Sequence, residues 1–233
     1  MAKQKVNISG MPGVSIKSRL VRSEKKNKVT VANLLGKRIG ISVSDSDEYE
    51  QLGFSKTHQK DITIELTRYL LANDAHLVFG GDLRAQGYTY AFSELSFQYR
   101  KKEEHNKMNY TNFLGWPIYN NIMHSDEADF KKNRVEIVRT FPPKNVPSNL
   151  INKKDIPDTI ENKVLWAYSM SNMRNAMIKQ SDARIFLGGT LSSYKGFYPG
   201  VIEEGYLTLK AKQPLYLLGA FGGATNLLIR AIK

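Results

Sequence analysis

Six short apolar runs recur along the chain with helix-periodic segments between them, and three of the runs end in paired glycines. KRIGISVS (37–44) alternates Ile39, Ile41 and Val43; HLVFGG (76–81), TNFLGWPIY (111–119), VEIVRTF (135–141), RIFLGG (184–189) and PLYLLGAFGG (214–223) follow. Runs this short, bounded by turn residues, predict strands. Between them Ile62, Leu66, Tyr69 and Leu70 fall at helical spacing from Asp61 to a stop at Asn73, and Phe92, Leu95 and Tyr99 mark a second helix. A short polar helix is expected near 125–133, and further helices after Gly200 and Gly223. Trp166, Met170, Met173 and Met177 form one helical stripe, read as core. Pro142, Pro143, Pro147 and Pro157 make 142–158 a long connection. Apolar strands alternating with helices predict an α/β fold, a Rossmann-like, mainly parallel sheet flanked by helices on both faces.

Charge divides the chain. Residues 1–35 hold eight Lys/Arg against Glu24 alone, a net +7; the remaining residues hold 26 basic and 21 acidic side chains, a net +5. We therefore expect a basic N-terminal extension or linker over 1–35 and one domain over 36–233. A basic head on a modestly basic body reads as a tail more than a binding face, so nucleic acid is not the expected partner. Cysteine is absent, which excludes disulfides and thiolate metal sites and suits a reducing cytoplasm. The start, MAKQKVNISG, has no long apolar core of the secretory kind. The most apolar stretch, Pro214 to Ile229, is too short and too broken by glycine to span a bilayer. His58, His76, His105 and His124 are scattered, so no metal is expected, and neither a nucleophile elbow nor a phosphate-binding P-loop motif occurs.

The chemistry concentrates where strands end in glycine. Gly80-Gly81, Gly188-Gly189 and Gly222-Gly223 each close an apolar run, and in an open parallel sheet ligands bind beyond the carboxyl ends of strands. The helices that follow present free N–H groups and a positive dipole end to a phosphate. Asp45 and Asp82 follow strand ends, where they meet a ribose or base, or serve as turn residues, and Ser44, last in its run, is a further expected ligand contact. Glu203 and Glu204 open a helix; they suit the dipole there, and equally suit ribose hydroxyls or the cationic sugar formed when a glycosidic bond breaks.

From Lys37 onward the chain resembles the SLOG superfamily of Rossmann-like domains, which includes the LOG nucleotide phosphoribohydrolases and the DNA-processing protein DprA. The resemblance rests on Met173-Arg174, Met177, Asp182-Ala183-Arg184-Ile185, Leu187-Gly188-Gly189, Gly200-Val201-Ile202-Glu203-Glu204 and Gln213-Pro214-Leu215, in that order, with IGISVSDS and LVFGGDLRAQG ahead of them. It implies that Gly188, Gly189 and Gly200 are backbone phosphate donors and that Glu204 falls on the family's catalytic glutamate, with Glu203 beside it. Arg174 approximates the catalytic arginine, one residue late by an ungapped count. Two departures matter. Val201 stands where the enzymes carry a phosphate-binding threonine, and ten residues, Thr190 to Pro199, separate the glycine pair from Gly200, where the enzymes have one. Such an insertion, bringing Ser192, Ser193, Tyr194, Lys195 and Tyr198, points toward a larger nucleotide derivative.

The expected function is a sensor for a nucleotide-derived ligand, ADP-ribose-like, NAD-derived or cyclic, of the kind the resemblance associates with TIR-type antiphage defence. Gly80, Gly81, Gly188, Gly189 and Gly200 would cradle phosphate, Arg174 and Lys195 would offset its charge, and Glu204 would hold ribose. No cofactor is expected; a homo-oligomer is, together with an effector protein or a fused module not present in this sequence. The alternatives are a LOG-type N-glycosidase using Glu204 and Arg174, and DprA-like binding of single-stranded DNA.

Overall fold

The structure, a computed structural model, describes residues 34–81, 83–101 and 107–232. The greater part of the expected basic extension, and Asp82, lie outside the described residues. Six strands alternate with six helices: β1 Arg38–Ser44, α1 Lys56–Ala72, β2 His76–Gly80, α2 Tyr88–Gln98, β3 Tyr110–Leu114, α3 His124–Lys132, β4 Val135–Arg139, α4 Ile160–Lys179, β5 Ala183–Gly188, α5 Gly200–Lys210, β6 Leu215–Leu218 and α6 Gly223–Ile232. They form one sheet in the order β4-β3-β2-β1-β5-β6. Every pairing in it is parallel. The sheet is thus wholly rather than mainly parallel over the described residues.

Several expected boundaries move, three of them for a clear local reason. α1 begins at Lys56 rather than Asp61 because Ser55 caps it, its hydroxyl accepting from the His58 amide. The run expected to reach Tyr119 stops at Leu114: Gly115 and the Trp116–Pro117 step follow, proline has no amide to donate, and the chain passes into a 3₁₀ turn at Ile118–Asn121. β6 ends at Leu218, because Gly219–Phe221 form another such turn before α6.

Alternation along the strands sorts side chains to two faces. Ile39, Ile41 and Val43 of β1, Leu77 and Phe79 of β2, and Ile185 and Leu187 of β5 pack with Leu70 and Leu71 of α1 and Phe92 and Leu95 of α2. On the opposite face α4 sets Met170, Met173 and Met177 against Val78 and Phe113. Beside it Val201, Ala224 and Leu228 of α5 and α6 cover Phe186. The sheet is flanked on both faces, and the methionine stripe is core.

The topology places a crevice at one end of the sheet. From β1 the chain steps outward through β2, β3 and β4, then crosses back to place β5 on the other side of β1. The order reverses between β1 and β5, so the helices that follow these two strands leave a crevice beyond their carboxyl ends.

Candidate functional site

The floor of the crevice is the β1–β5 pair, which runs in register to Ser44 and Gly188. There the chain turns through Gly188 and Gly189 at φ 57° and 101°, a left-handed path that side chains resist. The bend is closed by its own hydrogen bonds: the Gly189 amide donates 2.9 Å to the Ser44 carbonyl, and the Ala224 amide donates 2.8 Å to the Gly189 carbonyl.

A charged network rises from this floor. Arg184 lies within β5 and is 0% exposed. Its guanidinium crosses Gly40 of the paired strand, where an added Cβ would stand 2.4 Å from Cζ. It donates to the Ser42 hydroxyl (3.1 Å), the Ser181 hydroxyl (3.1 Å) and Glu204 Oε2 (3.2 Å). The Ser42 hydroxyl donates to the same carboxylate oxygen. Burial pulls the Arg184 guanidinium below its ordinary range while the Glu204 carboxylate pulls it back up. Above this layer Arg174 Nη1 donates 2.5 Å to Glu203 Oε2, and the Ser171 hydroxyl donates 2.5 Å to Glu203 Oε1. Arg174 Nε lies 3.7 Å from Glu204 Oε1. It makes no hydrogen bond among the described residues. The two acids that open α5 are therefore held at defined places by two arginines from α4 and β5, and neither is a mere capping charge. Alternating partners of this kind are what buried carboxylates require.

Over the network lies a cleft of ≈ 260 Å³ whose lining includes Ser42, Ser44, Gly80, Gly81, Arg174, Lys195, Gly200, Val201 and Glu204. α5 points its amino end into it. Pro199 precedes the helix and supplies no side-chain cap. The amides of Gly200, Val201 and Ile202 have no partner within the helix, as at any helix start. That end carries the positive pole of the helix dipole, and Arg174 adds formal charge beside it, with Lys195 also in the lining. A Cβ added at Gly200 would stand 2.7 Å from Arg174 Nη2 and push that guanidinium aside.

The 190–199 segment forms a wall. Thr190 and Ser192 hydroxyls donate to Asp47 Oδ2 at 3.2 and 3.0 Å. Phe197 meets Tyr168 of α4 edge to face at 4.8 Å. Lys195 holds its ammonium 4.2 Å from the centre of the Trp166 ring.

Of the residues expected from sequence, Ser44, Gly80, Gly81, Arg174, Lys195, Gly200 and Glu204 share this cleft. Asp45 does not: it pairs with Lys56 at 2.5 Å and lines a smaller neighbouring hollow with Lys60, Arg84 and Tyr88. Gly188 and Gly189 build the bend below the cleft and are not in its lining, and the Gly189 amide already serves Ser44. The Gly81 amide likewise donates to the Phe113 carbonyl, at 3.2 Å. Of the glycines expected to donate, Gly200 lies in the lining at the start of α5, where the helix provides its amide no partner. Glu203 sits behind the lining, 8% exposed, as the anchor of Arg174. Sequence reasoning missed Ser42, Ser171 and the role of Arg184. The one signal was a charged residue inside the apolar run ARIFLGG, where only a buried partner makes it tolerable.

Among the described residues no group of three or more His, Cys, Asp and Glu side chains is placed to hold a metal ion. No helix there is long and apolar enough to cross a membrane. A family model described as SLOG cluster2 matches residues 33–233. None of the curated proteins matches the chain. Among solved structures, DNA processing protein A from Helicobacter pylori, described for its single-stranded DNA binding mode, is similar at TM-score 0.48 and 16% identity, over 86% of this chain and 74% of that one.

Proposed function

We propose that this chain, which belongs to the SLOG cluster2 family over residues 33–233, binds a small ligand carrying phosphate and ribose in the cleft above β1 and β5. Membership supports nucleotide-related binding broadly. The observation that carries the closer reading is convergence: the uncapped start of α5, Arg174, Lys195 and the Glu204 carboxylate all meet in one cleft of ≈ 260 Å³. Phosphate sits at the α5 amides beside Arg174, an arrangement that helix starts and guanidinium forks favour. Glu204 Oε1, turned toward Arg174, is the acceptor for a ribose hydroxyl.

We favour a sensor over a hydrolase. Glu204 is already compensated by Arg184 and Ser42, and approached by Arg174. A carboxylate so neutralised offers little field to a developing sugar cation. Its place in the cleft beside Arg174 favours N-glycoside cleavage as the second reading. The proposed output, signalling in prokaryotic antiviral defence through a second copy or a separate effector, extends the resemblance to SLOG sensor domains.

Calorimetry with AMP, NAD and cyclic ADP-ribose, with chromatography of the recovered ligand, tests this. Saturable binding of an unchanged ligand is expected, weakened about tenfold or more in Arg174→Lys, which keeps charge but loses the fork. Release of free base that disappears in Glu204→Gln establishes the hydrolase instead. Absence of binding by every nucleotide rejects both readings.

A further inference from the structure

Beyond Lys195 lies a second and larger cavity, ≈ 460 Å³, lined by Ile156, Pro157, Asn162, Trp166, Tyr194 and Lys195 among others. Tyr194 and Lys195 line the ligand cleft as well, so the two hollows share one wall. Their chemistry differs. The cleft holds the arginine, the α5 amides and the carboxylate that phosphate and ribose require. In the second cavity the cation Lys163 is paired with Asp158 at 3.1 Å. What the cavity offers is an indole ring, a proline, an asparagine side chain and a tyrosine. The Trp166 indole N–H is buried and has no hydrogen-bond partner among the described residues. Asn162 is steadied by donating 2.9 Å to the Pro157 carbonyl. A flat aromatic with a polar edge meets such a set on both counts, stacking on the indole and hydrogen bonding at its rim.

We infer that the second cavity receives the distal ring of a two-part ligand, a dinucleotide in which phosphate joins two ring-bearing halves. The inference rests on the cleft being a nucleotide site. Lys195 is the hinge of the arrangement. Its ammonium rests over Trp166, a contact that an arriving ring replaces with stacking, and the displaced ammonium has the phosphate-side cleft open to it. The 190–199 segment, tied at Asp47 and at Tyr168, supplies Tyr194 and Lys195 to both hollows and so couples them. The insertion that separates this chain from the pattern of the hydrolases is thereby the element that lengthens the site.

Parallel titrations with AMP and NAD test it. NAD is expected to bind more tightly than AMP. Trp166→Ala should weaken NAD about tenfold, in keeping with the loss of one stacked base, and change AMP less than about twofold. Trp166→Phe, which keeps a ring in the core, guards against misfolding. It should hold NAD within about threefold while removing the ligand-dependent change in indole fluorescence. Trp116, the second tryptophan, is fully buried, bonded to the Ile151 carbonyl and not part of the cavity lining, and gives no such change. AMP binding with NAD affinity unmoved in Trp166→Ala, or moved equally with AMP, overturns the two-part ligand and leaves the cleft standing. Failure of the unsubstituted protein to bind either nucleotide overturns both.

Discussion

The two faces of the sheet are built on opposite terms. Toward α1 and α2, side chains from β1, β2 and β5 merge with the helices into one continuous apolar cluster. Toward α4, α5 and α6 the apolar packing breaks into two patches, one around Val78 and Phe113 and one around Phe186. Between the patches stand Ser42, Arg184, Glu204, Arg174 and Glu203. One strand serves both faces: Ile39, Ile41 and Val43 go to the first, Gly40 and Ser42 to the second. Apolar contacts are non-directional and stabilise whatever closes over them. A buried ion pair contributes little net stability and demands one geometry. The molecule places its cohesion on one face and its chemical definition on the other.

That division can be broken by measurement. Glu204→Ala leaves the fully buried Arg184 guanidinium without a counter-charge and is expected to cost about 3–5 kcal/mol in a urea melt. The double change Arg184→Met with Glu204→Leu should recover most of that loss, and a double variant as unstable as the sum of its parts would contradict a paired network. Leu77→Ala, in the apolar cluster, should cost about 3 kcal/mol through its cavity, with nucleotide affinity changed less than about twofold. A larger change in affinity would show that the faces are not separate. Gly40→Ala probes the seam between them. Its Cβ would press on the Arg184 guanidinium, and about 1–3 kcal/mol of destabilisation is expected.

The smallest effect sits at the far end of the sheet. His76 opens β2, its Nδ1–H donating 2.9 Å to the Met108 carbonyl. Burial first, then the neighbouring Arg38, pushes its pKa down to about 4. The folded state therefore resists a proton that the unfolded chain takes up below the ordinary value of about 6.5. Stability present above that value is lost progressively as pH falls toward 4, by about 1 kcal/mol between pH 7 and 5.5. His76→Gln should flatten that part of the stability profile.

Much of the apolar face was legible in the sequence, because Ile39, Ile41 and Val43, or Leu77 and Phe79, announce their shared direction by spacing alone. The methionine stripe on α4 was legible for the same reason. Strand ends were read less well where backbone chemistry overrode an apolar run, as at Gly115-Trp116-Pro117 and again at Gly219. Motif order singled out Glu204, Arg174 and Gly200, and the insertion singled out Lys195, all of which line the cleft. The hydrogen bonds that position them were not legible, since Ser42, Arg184 and Glu204 come from three elements and no periodicity links them. Nor does spacing reveal that a glycine amide beside a pocket is already taken, as that of Gly189 is by Ser44.

The floor of the site joins Ser42 to Arg184, 142 positions along the chain. On a ribosome adding about 5–20 residues each second, β1 emerges on the order of ten seconds before its partner exists. Through that interval its inner edge is a bare parallel template whose lawful neighbour has yet to be translated. The binding hollow therefore waits on β5 and α5, and any molecule truncated ahead of β5 lacks it entirely.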